Sequence, residues 1–97
     1  MYETSIKTKN GTEYQVRSCV STTVGITSIL YIEFIGYSLL DIVTAFSNAE
    51  ETSYISGYVE GELKKEYRNY TNLIEAYVIA ESKNVHIGLT ATQEVLQ

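Results

Sequence analysis

Cysteine and histidine each occur once in these 97 residues, and tryptophan and proline do not occur at all. Cys19 alone cannot close an intrachain disulfide, and a lone thiol suits a reducing compartment. His86 alone cannot supply the paired histidines of a zinc motif. For Cys19 to act as a nucleophile, His86 would have to lie beside it in space. The six glycines are scattered along the chain, which excludes a glycine-rich phosphate loop. Between residues 21 and 60 there is no lysine or arginine, while Glu33, Asp41, Glu50, Glu51 and Glu60 all fall there. This acidic middle accounts for most of the net charge of −5. It argues against direct nucleic-acid binding, which needs clustered Lys and Arg, and against docking on anionic lipid. The longest apolar stretch, ILYIEFIGYSLL, is broken by Glu33 and is too short to span a bilayer. The opening MYETSIKTK lacks the apolar run of a signal peptide.

Apolar residues make up 44% of the chain and charged residues 20%, a balance that supports a folded core rather than disorder. The length fits a single domain over residues 1–97. With no tryptophan and two phenylalanines, nine tyrosines carry most of the aromatic surface.

Strand signals dominate. Tyr2, Thr4, Ile6 and Thr8 alternate with polar neighbours, as do Thr12, Tyr14, Val16 and Ser18. Asn10-Gly11 between them marks a hairpin. A two-residue loop would put the apolar residues of the two strands on opposite faces. A three-residue loop, Lys9-Asn10-Gly11, pairs Ile6 with Tyr14 and Thr4 with Val16, and gives Gly11 the left-handed position of a bulge. Residues 20–28, small and polar, read as a loop or weak edge segment. Residues 29–35 read as a central strand covered on both faces, with Glu33 needing a partner or a way out to solvent. Ser38 opens a helix over about 38–48. Asp41 completes its cap, and Leu39, Ile42, Val43 and Phe46 form its apolar stripe. Asn48 is a candidate left-handed stop, and residues 47–50 a candidate start for a further turn. TSYISGYV is a strand and Glu60-Gly61 a turn. Residues 62–70 read as strand or exposed helix, strand being preferred because the segment follows a turn and leads into more strand. A four-residue loop at 81–84 pairs Ala80 with Val85, Val78 with Ile87 and Ala76 with Leu89, and turns His86 away from that face. The expected architecture is α+β: a curved antiparallel sheet of about six or seven short strands with one helix packed on one face.

No catalytic, metal-binding or cofactor-binding constellation emerges, so an enzyme is not expected. The candidate contact residues are tyrosines: Tyr54 and Tyr58 on one strand face, then Tyr67 and Tyr70. Tyrosine provides large contact area at low entropic cost. Glu50, Glu51 and Glu60 are the carboxylates available to a partner that prefers negative charge.

Three phrases carry a resemblance. Phe46, Ser47, Asn48, Glu50 and Thr52 follow the helix. Tyr70, Thr71 and Leu73 precede the last hairpin, and Asn84, Val85, Ile87 and Leu89 end the domain. The chain resembles small proteins of phages and prophages in Gram-positive bacteria, often encoded beside tail or baseplate genes. The resemblance implies a virion accessory component acting by protein–protein contact, in the bacterial host cytoplasm and then assembled into a particle, with homo-oligomers expected. The alternative it leaves open is a small acidic inhibitor of a host defence protein, of the anti-CRISPR or other anti-defence kind.

Overall fold

A computed structural model describes residues 2–92. The chain is α+β, with 54% of it in strands and 13% in helices, so the sheet sets the architecture. Seven strands form one open antiparallel sheet. They are β1 (Ser5–Lys7), β2 (Glu13–Val24), β3 (Thr27–Phe34), β4 (Tyr54–Val59), β5 (Glu62–Arg68), β6 (Asn72–Val78) and β7 (Val85–Thr90). Their spatial order is β5-β4-β1-β2-β3-β7-β6.

That order places β5 and β6, consecutive in sequence, at opposite edges. Only residues 69–71 join them, and the step from Arg68 to Asn72 spans at most about 14 Å of extended chain. The sheet must therefore curl until its two edges meet at this corner. Three register irregularities accommodate the curl. They fall between Val16 and Ser18 of β2, opposite Gly57-Tyr58 in β5, and between Leu73 and Glu75 of β6. Bulges of this kind increase local twist. Asn69 takes a left-handed conformation at the corner, φ 66°. Its N–H donates to Ser53 O at 2.8 Å, and its carbonyl accepts from Thr92 N–H at 2.7 Å.

The first hairpin has the expected register. Ile6 pairs with Tyr14, Thr8 N–H donates to Thr12 O, and Gly11 sits at φ 87°. The turn at Glu60-Gly61 is also as expected, with both residues left-handed, φ 49° and 83°, as a type I′ turn requires. Residues 62–68 are strand.

Four local expectations are corrected. Of the two readings of residues 20–28, the loop is corrected and the edge segment stands, longer and more regular than expected: β2 continues to Val24, β3 begins at Thr27, and Gly25 turns the chain at φ 62°. Val20, Thr22, Thr23, Val24 and Thr27 are β-branched, which suits a strand, and their polarity reflects an exposed arm. β3 is covered on one face only. Leu30, Ile32 and Phe34 are buried, while Tyr31 and Ile35 are exposed, because both helices lie on the inner side. The helix expected over about 38–48 is α1 (Leu39–Phe46), and the further turn expected from residues 47–50 is a short second helix, α2 (Ala49–Thr52). Asn48 does not stop the first in a left-handed conformation. It is extended, φ −84°, and its side chain caps the second by accepting from Glu50 and Glu51 N–H. Finally, the last hairpin is shifted by two residues from the expected register. Val78 pairs with Val85 and Ala76 with Ile87. The chain turns earlier, through a Lys83 N–H bond to Ile79 O with Lys83 left-handed. A two-residue shift keeps every side chain on its expected face.

Ser38 caps α1 as expected, its Oγ accepting from Asp41 N–H at 3.1 Å. Ile42 and Phe46 are fully buried, but Leu39 and Leu40 are exposed. Phe46 meets Phe34 at 5.0 Å and Tyr14 at 5.2 Å between ring centroids. Tyr37 joins Tyr14 and Phe34 at 5.5 and 6.1 Å. This aromatic knot fixes the helix to the sheet. Phe46→Ala is expected to cost about 3–5 kcal/mol, measured as a lowered urea midpoint. Leu40→Ser, on the same helix at 74% exposure, is expected to stay within about 0.5 kcal/mol of the parent.

Candidate contact surfaces

Strand alternation divides the tyrosines between two sides of the sheet. Tyr54 and Tyr58 point outward from β4 on either side of Ser56. Lys7 crosses from β1 to lie 4.9 Å from the Tyr58 ring centroid, and Arg68 crosses from β5 to lie 4.8 Å from that of Tyr54. The Tyr54 hydroxyl donates to Glu66 Oε1 at 2.8 Å, and Arg68 Nη2 donates to the same oxygen at 3.1 Å. The hydrogen bond to Glu66 raises the Tyr54 pKa. The result is an ordered strip of two rings, each faced by one cation, in which the side chains hold one another in place.

Tyr67 and Tyr70 do not belong to that strip. Both are buried, and their rings meet edge to face at 6.2 Å. Tyr67 donates its hydroxyl to the buried Glu3 carboxylate, and the Tyr70 hydroxyl shares a 3.0 Å hydrogen bond with Ser21 Oγ. These contacts satisfy the polar end of each ring inside the fold. The corner accounts for the correction: Tyr67 points inward from β5, and Tyr70 follows in the link beyond the left-handed Asn69, where its ring meets that of Tyr67. Glu3 lies across Gly57: a Cβ there would sit 2.7 Å from Glu3 Cγ. The glycine thus makes room for a buried carboxylate.

The three candidate carboxylates do not converge. Glu50 and Glu51 stand on α2 and brace the first hairpin. Glu50 lies 3.8 Å from Lys9 Nζ. Glu51 accepts from Asn10 N–H through Oε1 at 3.0 Å and from Lys9 N–H through its carbonyl at 3.1 Å. Glu60 lies at the other end of β4, about 20 Å of strand away, where its N–H donates to Thr4 Oγ1.

A second outward face, on β2, β3, β7 and β6, was not singled out in the sequence. It presents Val20, Tyr31 and Tyr77, all exposed. His86 lies flat on Tyr77 at 5.2 Å and 7°. Its Nε2 is buried and has no hydrogen-bond partner among the described residues, lying 3.7 Å from Glu33 Oε2. The same carboxylate oxygen accepts from Asn84 Nδ2 at 2.8 Å and lies 3.8 Å from Arg17 Nη1. Glu33 thus has its partners on this face. The sequence signal was the alternation of Tyr31 and Glu33 with buried Leu30, Ile32 and Phe34.

Cys19 and His86 are on opposite faces, with Cys19 in the core and His86 outside. Burial pushes the Cys19 thiol well above its ordinary range, and the Glu3 charge adds to the effect. Among the described residues no group of three or more His, Cys, Asp or Glu is placed to hold a metal, and no helix is long and apolar enough to cross a membrane. No protein-family model, curated protein or solved structure matches this chain.

The buried groups generate a pH prediction. Burial, then the bond to Glu3, raises the Tyr67 pKa above its ordinary 10.0, as burial raises that of Cys19 above its ordinary 9.0. Above those values the unfolded chain releases protons that the folded chain keeps, so stability falls as pH rises. Urea midpoints are expected to be level to about pH 8.5 and to drop through about pH 11. Cys19→Ala is expected to delay the onset of the drop. An unchanged alkaline limb in that variant would show that Cys19 contributes nothing to it.

Proposed function

We propose that this chain is a non-enzymatic contact protein of a phage particle, an accessory of the tail or baseplate type that works by binding other protein surfaces. The observation that carries this reading is the outward Tyr54–Tyr58 strip with its facing Lys7 and Arg68. Rings already held by neighbouring cations lose little freedom on binding, which is how a small surface gains affinity. The resemblance to phage and prophage proteins supplies the setting. The separation of Cys19 from His86 supports a role without covalent catalysis.

The acidic-inhibitor alternative gains less. An inhibitor that imitates nucleic acid needs convergent free carboxylates. Here Glu50 and Glu51 are tied to the first hairpin, and Glu60 is a strand length away. Direct nucleic-acid binding is also disfavoured, because Glu66 sits between Tyr54 and Arg68 and offsets the cation.

The test is particle composition. Mass spectrometry of purified particles from the encoding strain is expected to find the chain at fixed stoichiometry. Tyr54→Ala with Tyr58→Ala is expected to lower its incorporation by about tenfold or more, with circular dichroism and thermal midpoint near those of the parent. Absence of the parent chain from particles, or full incorporation of the double variant, would overturn the reading.

A further inference from the structure

The sheet has more free edge than its strand order implies. β1 is three residues long and β2 is twelve. The last bond between them is Val16 N–H to Thr4 O. Beyond it, β2 pairs with β3 on one side through Val24. Among the described residues, no backbone group hydrogen-bonds its other side from Ser18 to Val24. Among the described residues, this seven-residue stretch therefore presents a row of unpaired N–H and C=O groups about 23 Å long.

The three free edges differ in chemistry. β5 carries Glu62, Lys64, Lys65, Glu66 and Arg68 along with a register irregularity. β6 carries Glu75 at its midpoint and an irregularity beside it. Charges and bulges are what proteins use to keep an edge from pairing. The Ser18–Val24 edge, SCVSTTV, has no charge, no glycine and no proline, and its pairing with β3 is regular throughout. It is built of strand-forming residues and carries neither protection.

What such an edge accepts is another strand. A chain of net charge −5 repels its own copy, so self-pairing needs an edge that adds no like-charge contact. Antiparallel pairing of β6 with itself about its midpoint opposes Glu75 to the copy's Glu75. The same operation on β5 opposes Lys65 to Lys65. Pairing Ser18–Val24 with itself about Ser21 opposes Val20 to Thr22, Ser18 to Val24 and Cys19 to Thr23, all uncharged. On the outward face, Val20, Val24 and Tyr31 are exposed and would continue across the two-fold axis onto the copy's equivalents. Such an isologous contact closes on itself and ends at two copies.

We propose that two copies of this chain join through antiparallel pairing of their Ser18–Val24 edges, making one continuous sheet across a two-fold axis. The proposal deepens the contact-protein reading by placing the self-association on one edge, and it leaves the Tyr54–Tyr58 strip free for a different protein.

The test is mass in solution by light scattering after size exclusion, from about 5 to about 500 µM. The parent is expected to move from 10.9 kDa to twice that mass. Thr22→Lys and, separately, Val24→Lys change exposed side chains and place a cation on each side of the pairing. Each is expected to weaken dimerisation by about tenfold or more, with an unchanged circular dichroism spectrum. Glu75→Lys on β6 is the control and is expected to leave the dimer intact. A parent that stays at 10.9 kDa throughout overturns the proposal. So does a dimer that ignores both edge variants, or one that yields only to Glu75→Lys. These outcomes are separable from the function test: a monomer that still enters particles removes only the dimer, and a dimer absent from particles removes only the particle assignment.

Discussion

The constraint on which this molecule depends is the three-residue link, Asn69–Thr71, between the two edge strands of its sheet. A flat seven-stranded sheet would hold those edges some 28 Å apart at the usual strand spacing, twice what the link can span. The curl is thus a topological requirement. It creates the enclosed concave side, and the core follows from it. Phe34, Phe46 and Tyr14 pack against one another there, and Tyr67 and Tyr70 fill the corner. The bonds at Asn69 and the side-chain hydrogen bond between Thr71 and Thr92 bring together three segments far apart in sequence: the end of α2, the β5–β6 link and the end of β7.

The enclosed side contains more polarity than a small core usually carries. Glu3 and Thr52 are buried with the apolar residues. Glu3 matters most, because burying a carboxylate without a partner is costly. The Tyr67 hydroxyl gives it a charge-assisted hydrogen bond, and Gly57 leaves the space its side chain crosses. Tyrosine is thus used here partly as a core residue with a hydroxyl to offer, which explains why a chain without tryptophan holds so many.

Outside, the two halves of the sheet are furnished differently. The β1–β4–β5 half carries rings faced by cations and linked to a carboxylate, an arrangement rich in specific polar contacts. The β2–β3 arm is uncharged from Ser18 to Ile32 and relies on β-branched side chains and backbone. On the proposed reading, the first kind of surface would recognise a partner by geometry and charge, and the second by strand pairing. One small sheet thus has room for two distinct contacts because its faces and edges are chemically independent.

Much of this was readable before any coordinates, wherever the determinant is local. The Asn10-Gly11 loop, the Glu60-Gly61 turn, the Ser38 cap and the inward or outward sense of Ile6, Tyr14, Ile87 and His86 all follow from turn chemistry and strand alternation. Those depend on residues within a few positions of one another. Four features did not follow. Val20 to Val24 is regular strand although it reads as a loop or weak edge segment, because β3 pairs with it over its whole length. Asn48 caps the second helix rather than ending the first, a choice between two short-range geometries that packing against the first hairpin decides. The last hairpin slides by two residues, since both registers keep the same faces and only the loop separates them. Tyr67 and Tyr70 turn inward while Tyr54 and Tyr58 turn outward. By itself the sequence determined the elements, their local turns and the alternation within each strand, since those are set by near neighbours. The tertiary structure decided which alternating face is interior, because that depends on the curl imposed by closing the β5–β6 corner, a contact among residues from three distant parts of the chain.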